Sequence, residues 1–390
     1  MVGKQNSEGQ LELFNTKEFG AEEILKPRDK MIPAAKNTES SYSAFGWRFQ
    51  IITEIIFSIK NIQELKSVEV EGLTEDIELY FTKKNPMYIQ VKAVQKDFID
   101  ATDPGKATLA MNTLINTSNR VGNKYSELVY VANFRNPLNL TDALLESAWK
   151  PSMDSVFTTK YNELPEAAKV FIEDRIDKAQ KQLKQKNYKN SIENFDRDRL
   201  SVSTILFGSD SDTRGVSVLG GTLESLFQEA GIPMRGWRIS KLQKSLVEYY
   251  FANAGSSTNS EKYITITKEK LVWRVIFEVM DCTADDSDKN VPMPLIDGVN
   301  EYVDEFIQDQ SQDINIINKI YAGIAQYAPN GEYLEPIVDN YINNEWKKYK
   351  TDFPLNEDAD IQEYGIKTLI KKIITGQKTV HKITKVVNLK

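Results

Sequence analysis

One stretch limits the possible folds more than any other. From Val68 to Val94 the chain reads VEVEGLTEDIELYFTKKNPMYIQVKAV. From Asp76 onward, polar and apolar residues alternate: Asp76, Glu78 and Tyr80 fall on one face, and Ile77, Leu79 and Phe81 on the other. Successive side chains of an extended chain point to opposite faces, so a period of two predicts a strand with one buried face. Thr82 to Pro86 (TKKNP) supplies polar turn chemistry. Tyr88 to Val94 then alternates again, Ile89 and Val91 against Gln90 and Lys92. Paired as a hairpin, the two runs send their apolar faces to a common core. Asp76, Gln90 and Lys92 are left to share the opposite face.

The surrounding segments supply alternating helices and strands. Ser40 to Ser43 carries helix-start chemistry, and Phe45, Phe49, Ile52, Ile55, Ile56, Ile59 and Leu65 follow at helical spacing. After the hairpin come a loop over 97–106 and a helix over Ala107 to Arg120. Leu128 to Asn133 is a short apolar run without alternation, as expected of a strand buried on both faces. Leu140 to Trp149 and Pro165 to Lys186 read as helices, and Leu200 to Phe207 as a last strand. Val218-Leu219-Gly220-Gly221 reads as a turn, with a domain boundary near Gly221. Beyond it, Ile239 to Phe251, Lys268 to Val279, Val299 to Ile307 and Ile314 to Tyr327 show apolar residues three and four apart, the mark of helices with one buried stripe. In the tail, Ile366 to Ile374 reads as an amphipathic helix and the following TVHKITKVV as a strand, in a segment with seven lysines and no acid. We expect a polar arm over 1–40, an α/β domain over 41–221 and a mainly helical domain over 222–390.

Several function classes fall away on composition. The single cysteine, Cys282, excludes a disulfide scaffold and a cysteine-rich zinc site, and fits a cytoplasmic location. The single histidine, His381, lies near the end of the sequence, a poor centre for a catalytic triad or a histidine-ligated metal. No GxxxxGK[ST] or GxGxxG stretch occurs, so no ATPase is expected within the chain. The opening residues contain no apolar core of a signal peptide, and no apolar run approaches the ~18 residues that span a bilayer, so no membrane association is expected. The net charge of −7 argues against DNA binding over the whole surface, because such proteins are usually basic.

The shared face of the hairpin carries the chemistry that remains. A carboxylate, an amide oxygen and an ammonium held close together suit a hard divalent cation and a phosphate. An Asp at one strand, a turn, then (D/E/Q)-x-Lys on the next is the pattern of restriction-endonuclease-like nucleases. Here Gly46-Trp47-Arg48-Phe49-Gln50 precedes it, Glu75-Asp76 follows, and Ile89-Gln90-Val91-Lys92 closes the set. That order, over roughly residues 41–215, resembles the dsDNA-endonuclease effector family of CBASS, Lamassu-type and HerA-associated antiphage systems, nucleases of the PD-(D/E)xK type.

The resemblance implies an α/β restriction-endonuclease-like sandwich followed by a mainly α-helical C-terminal domain. It also implies a Mg²⁺-dependent (or Mn²⁺-dependent) double-stranded DNA endonuclease. Asp76, Gln90 and Glu71 would ligate the metal with a carbonyl of Val91, and Lys92 would orient the attacking water or stabilise charge on the phosphate. Gln50, and with it Glu54 one turn on, could support the site; otherwise both are solvated. Gln90 departs from the acidic form of the motif, and a neutral ligand should hold the cation less tightly. Lys181, Lys184, Lys186 and Lys189 could touch a phosphate backbone, or simply form a solvated helix face. An SMC-like or HerA-like ATPase subunit is the implied partner, with activation by assembly and a homo-oligomer as the active form. Two rivals stand: a catalytically inactive nuclease-like scaffold that docks an ATPase, and a helical DNA-binding protein unrelated to nucleases.

Overall fold

The computed structural model describes residues 34–70, 76–95, 102–186, 191–208, 214–234, 236–254, 265–280, 291–308, 314–331 and 333–389. Chain contacts divide it into Met1–Arg48 and Phe49–Lys390. Helix α1 (Ala34–Lys60) begins before the serines of 40–43, so these do not cap it. Its later turns bury Phe49, Ile52, Ile55, Ile56 and Ile59, the stripe expected from their spacing.

The alternating stretch forms β1 (Leu65–Val70), β2 (Ile77–Phe81) and β3 (Met87–Lys92), each antiparallel to the next. The chain then crosses over through α2 (Pro104–Val121) to reach β4 (Glu127–Ala132), which lies parallel to β3. A parallel neighbour requires such a crossover because a tight turn cannot reverse the chain twice. Asp103 caps α2, its carboxylate accepting from the Lys106 amide at 3.1 Å, with Pro104 opening the first turn. After α3 (Asp142–Ala148), β5 (Phe157–Lys160) and α4 (Glu166–Gln185), strand β6 (Leu200–Thr204) returns parallel to β4.

One face of this sheet is built from register partners: Tyr88, Leu128 and Leu200 lie side by side, as do Tyr130 and Val202. They pack with Ala107, Met111 and Leu114 of α2 and Ile172 and Ile176 of α4. β4 is covered on both faces, as its unbroken apolar run predicts.

The remaining helices are α5 (Arg214–Glu229), α6 (Gly236–Ala254), α7 (Lys268–Met280), α8 (Ile296–Gln308), α9 (Asn315–Tyr327), α10 (Glu335–Glu345), α11 (Ala359–Thr375) and α12 (Gln377–Val386). Trp273 and Phe277 of α7 pack their rings on Phe306 of α8, which stacks on Phe353 at 4.8 Å. Trp273 and Trp346 are buried, whereas Trp237 is 55% exposed and anchors no core. Among the described residues, no helix is long and apolar enough to cross a membrane.

Two expectations need correction. Val218 to Gly221 is not a turn but the second turn of α5. Its glycines are there for clearance: a Cβ on Gly221 would meet the Asp154 carbonyl at 2.4 Å, and one on Gly220 the Gln243 amide at 2.7 Å. The boundary placed near Gly221 therefore falls inside a helix. Strand β7 (Thr265–Thr267), from the later part of the chain, completes the seven-stranded order β5-β6-β4-β3-β2-β1-β7. The tail segment TVHKITKVV is not a strand but α12, because Val380, Ile383 and Val387 also recur at three and four and are buried. The architecture is thus a mixed sheet with helices, extended by a helical region.

Candidate functional site

The hairpin register fixes the site. Ile77 pairs with Ile89, so Asp76, one residue before β2, lies beside Gln90. Gln90 and Lys92 are register partners of Tyr130 and Ala132 on β4, on the sheet face shared with α2 and α4. The Gln90 Nε2 donates to Asp76 Oδ2, and the Val91 amide donates to the same oxygen at 2.9 Å. The Lys92 ammonium stands 3.8 Å from it. The three residues singled out from the alternation therefore converge on one carboxylate. Gln50, on α1, donates from Nε2 to the Asp76 backbone carbonyl at 2.8 Å and so holds the entry to β2.

The electrostatics of Asp76 are mixed. Burial raises its pKa above the usual aspartate value, while the Lys92 ammonium, the Val91 amide and the Gln90 amide work against that rise. Every hydrogen bond and ion pair of this carboxylate among the described residues falls on Oδ2, and Oδ1 has none.

The other predicted residues lie elsewhere. Glu54 is neither solvated nor bonded to the site. It is fully buried in α1, neither carboxylate oxygen has a hydrogen-bond partner among the described residues, and it acts electrostatically on Tyr250 of α6. Lys181, Lys184 and Lys186 are exposed at the end of α4, whose buried stripe is Ala168, Ile172, Ile176, Ala179 and Leu183. Glu71 and Lys189 lie outside the described residues. In the tail, Lys367 pairs with Glu363 and Lys371 with Asp339, so part of its charge is spent within the chain. His381 is exposed on α12.

Two groups near the site were given no role in the sequence reading. Asn133, fully buried just after β4, donates from Nδ2 to the carbonyls of Val94 and Phe207 and accepts from the Val94 amide, each at 2.7 Å. It closes the ends of β3 and β6 onto β4, two residues beyond Lys92. A polar residue ending a wholly apolar run was the available signal. On the same face as Asp76, the Tyr80 hydroxyl donates to Glu78 at 2.7 Å, and Glu69 stands opposite Glu78. Burial first, and the Glu78 charge second, raise the pKa of Glu69.

A divalent cation can be weighed against this donor set. Among the described residues no cluster of three or more His, Cys, Asp or Glu is placed to hold one. Asp76 Oδ1, which has no partner among the described residues, offers one anionic ligand. The Gln90 carbonyl could join it only after the amide rotates, which breaks its bond to Oδ2. Mg²⁺ is commonly held by one or two carboxylates, with water and substrate phosphate completing the octahedron. Among the described residues the site as it stands therefore supplies one carboxylate and no second protein oxygen ligand.

No protein-family model and no curated protein sequence matches the chain. Solved structures of the Acinetobacter baumannii Cap4 SAVED/CARF-domain containing receptor align with it at low similarity. The form with the cyclic trinucleotide 3'3'3'-cAAA aligns at TM-score 0.34 and 11% identity, covering 62% of this chain and 50% of the receptor. The form with 2'3'3'-cAAA aligns at TM-score 0.34 and 14% identity, covering 74% of this chain and 60% of the receptor. The chain thus spans between half and three-fifths of the receptor's length, and scores of this size fall below those of a shared fold.

Proposed function

We propose that the chain is a metal-dependent endonuclease of double-stranded DNA with a restriction-endonuclease-like core, working as the effector of an antiphage system. The observation that supports it is the meeting of Asp76, Gln90 and Lys92 on adjacent strands, with Asp76 Oδ1 unengaged among the described residues. The defence context comes from the resemblance of the G-W-R-F-Q, Asp76 and Q-V-K set. Mg²⁺ or Mn²⁺, when bound, supplies polarisation of the phosphoryl oxygen and a water of lowered pKa. Asp76 contributes the anionic ligand, with Gln50 holding its backbone carbonyl and the Val91 amide its Oδ2. Lys92, held near Asp76, offers its ammonium to the charge that develops on the phosphate. Exposed Lys181, Lys184 and Lys186 can meet the backbone of a bound duplex.

The scaffold reading keeps one observation in its favour: Gln90 points its Nε2, not its carbonyl, at Asp76. The net charge of −7 gives the lone chain little steering toward DNA, so the active form is an assembly, with an SMC-like or HerA-like ATPase as the candidate partner. The test compares cleavage of plasmid and linear duplex with Mg²⁺, with Mn²⁺ and with EDTA, for dilute and concentrated protein. Cleavage that needs the metal and rises faster than protein concentration supports the proposal. Binding without cleavage under every condition, with the partner present, selects the scaffold.

A further inference from the structure

A cleft of about 530 Å³ opens between α6, α7 and α8, away from the Asp76 site. Arg274 of α7 lines it. This side chain is 8% exposed, lies over the Tyr249 ring at 4.7 Å, and makes no hydrogen bond or ion pair among the described residues. Its guanidinium nitrogens are not shut away from solvent but face the cleft, where five N–H donors stand ready for a ligand. Stacking on Tyr249 satisfies the flat face only. The planar edge remains, and it matches a phosphate or carboxylate two bonds at a time.

The rest of the lining narrows the ligand. Lys241 and Lys244 bring two more cations, and Ser245 a hydroxyl. Three carboxylates, Glu248, Glu278 and Asp304, line the same space. They act on Arg274 through space without touching it. Two of them stand at ion-pair distance from the lysines, 3.8 Å for Glu278 with Lys241 and 3.9 Å for Glu248 with Lys244. A bare polyanion would meet these carboxylates and be repelled. A molecule carrying one phosphate on a hydroxyl-bearing body suits both halves: the phosphate goes to the cations, and the hydroxyls donate to the carboxylates. The volume lies in the range of small-ligand sites.

We propose that this cleft binds a sugar phosphate, with Arg274 as the phosphate anchor. The site is independent of the nuclease reading, and its test uses no cleavage assay. Calorimetric titration of the full chain with ribose 5-phosphate, ribose and inorganic phosphate should give saturable binding of ribose 5-phosphate that is tighter than that of either part. Losing the two charge-assisted bonds of Arg274 in Arg274→Gln should weaken it by at least about tenfold. Because Arg274 is buried, Lys244→Ala on the exposed face provides a second variant, expected to weaken binding severalfold while leaving the melting temperature unchanged. Absence of saturable ribose 5-phosphate binding, or binding unchanged in a folded Arg274→Gln or in Lys244→Ala, overturns the proposal. Equal affinity for inorganic phosphate overturns the sugar-phosphate assignment.

Discussion

Replacing Glu54 should make the protein more stable, and the gain should depend on pH in a defined direction. Glu54 is completely buried in α1 between apolar turns, with both carboxylate oxygens unbonded among the described residues. Burial pushes its pKa well above the usual glutamate value. The folded state therefore holds this proton more tightly than the unfolded state. In the window from the ordinary value of 4.5 upward to the folded-state pKa, the folded protein binds the extra proton, so stability falls as pH rises. A desolvated polar group without a partner costs about 1–3 kcal/mol even when neutral. Glu54→Leu removes that cost and adds apolar burial, so it should gain at least about 1 kcal/mol near pH 5 and more near pH 8. Glu54→Gln, uncharged throughout, should match the wild type below about pH 4.5 and exceed it increasingly above. Urea unfolding of the three proteins at several pH values measures this, and taking differences cancels all other titrations. A Glu54→Leu variant less stable than wild type, or a gap that does not widen with pH, would refute the reasoning.

Three further outcomes follow from single contacts. Gly365→Ala should destabilise by about 1–3 kcal/mol, since its Cβ would stand 2.2 Å from the Tyr302 ring where α8 and α11 cross; thermal melting reads it. Asn133→Leu should cost about 2–4 kcal/mol by stranding the Val94 amide and the Val94 and Phe207 carbonyls, and hydrogen exchange at Val94 should accelerate. Lys92→Met should raise the Asp76 pKa further above the usual aspartate range, because the ammonium now opposes the effect of burial; carboxylate NMR titration follows the shift.

The hairpin was legible because one face of it is buried: a period of two specifies register, and register brought Asp76 to Gln90 without further information. Glu54 was misjudged because a charged residue on an exposed helix face and one pressed against another helix read alike. Tyr250, which feels its charge, is almost two hundred residues away in sequence. Strands β5 and β7 are four and three residues long, too short to display a period. The two glycines of α5 imitate a turn, because a glycine that admits a neighbouring chain looks the same as one that bends its own. The tail was misread because lysines between apolar residues imitate alternation, although Val380, Ile383 and Val387 are three and four apart, a helical spacing that a period of two does not fit.

The central claim is that Asp76 and Lys92 act together on a phosphodiester. Single-turnover cleavage of a labelled duplex in Mg²⁺, by the assembled protein and by Asp76→Ala and Lys92→Ala variants of unchanged circular dichroism and melting behaviour, tests it most directly. The account predicts that each variant loses at least about 100-fold in rate while DNA affinity changes little. Wild-type rates in either folded variant, or a wild type that cleaves equally well in EDTA, would contradict it.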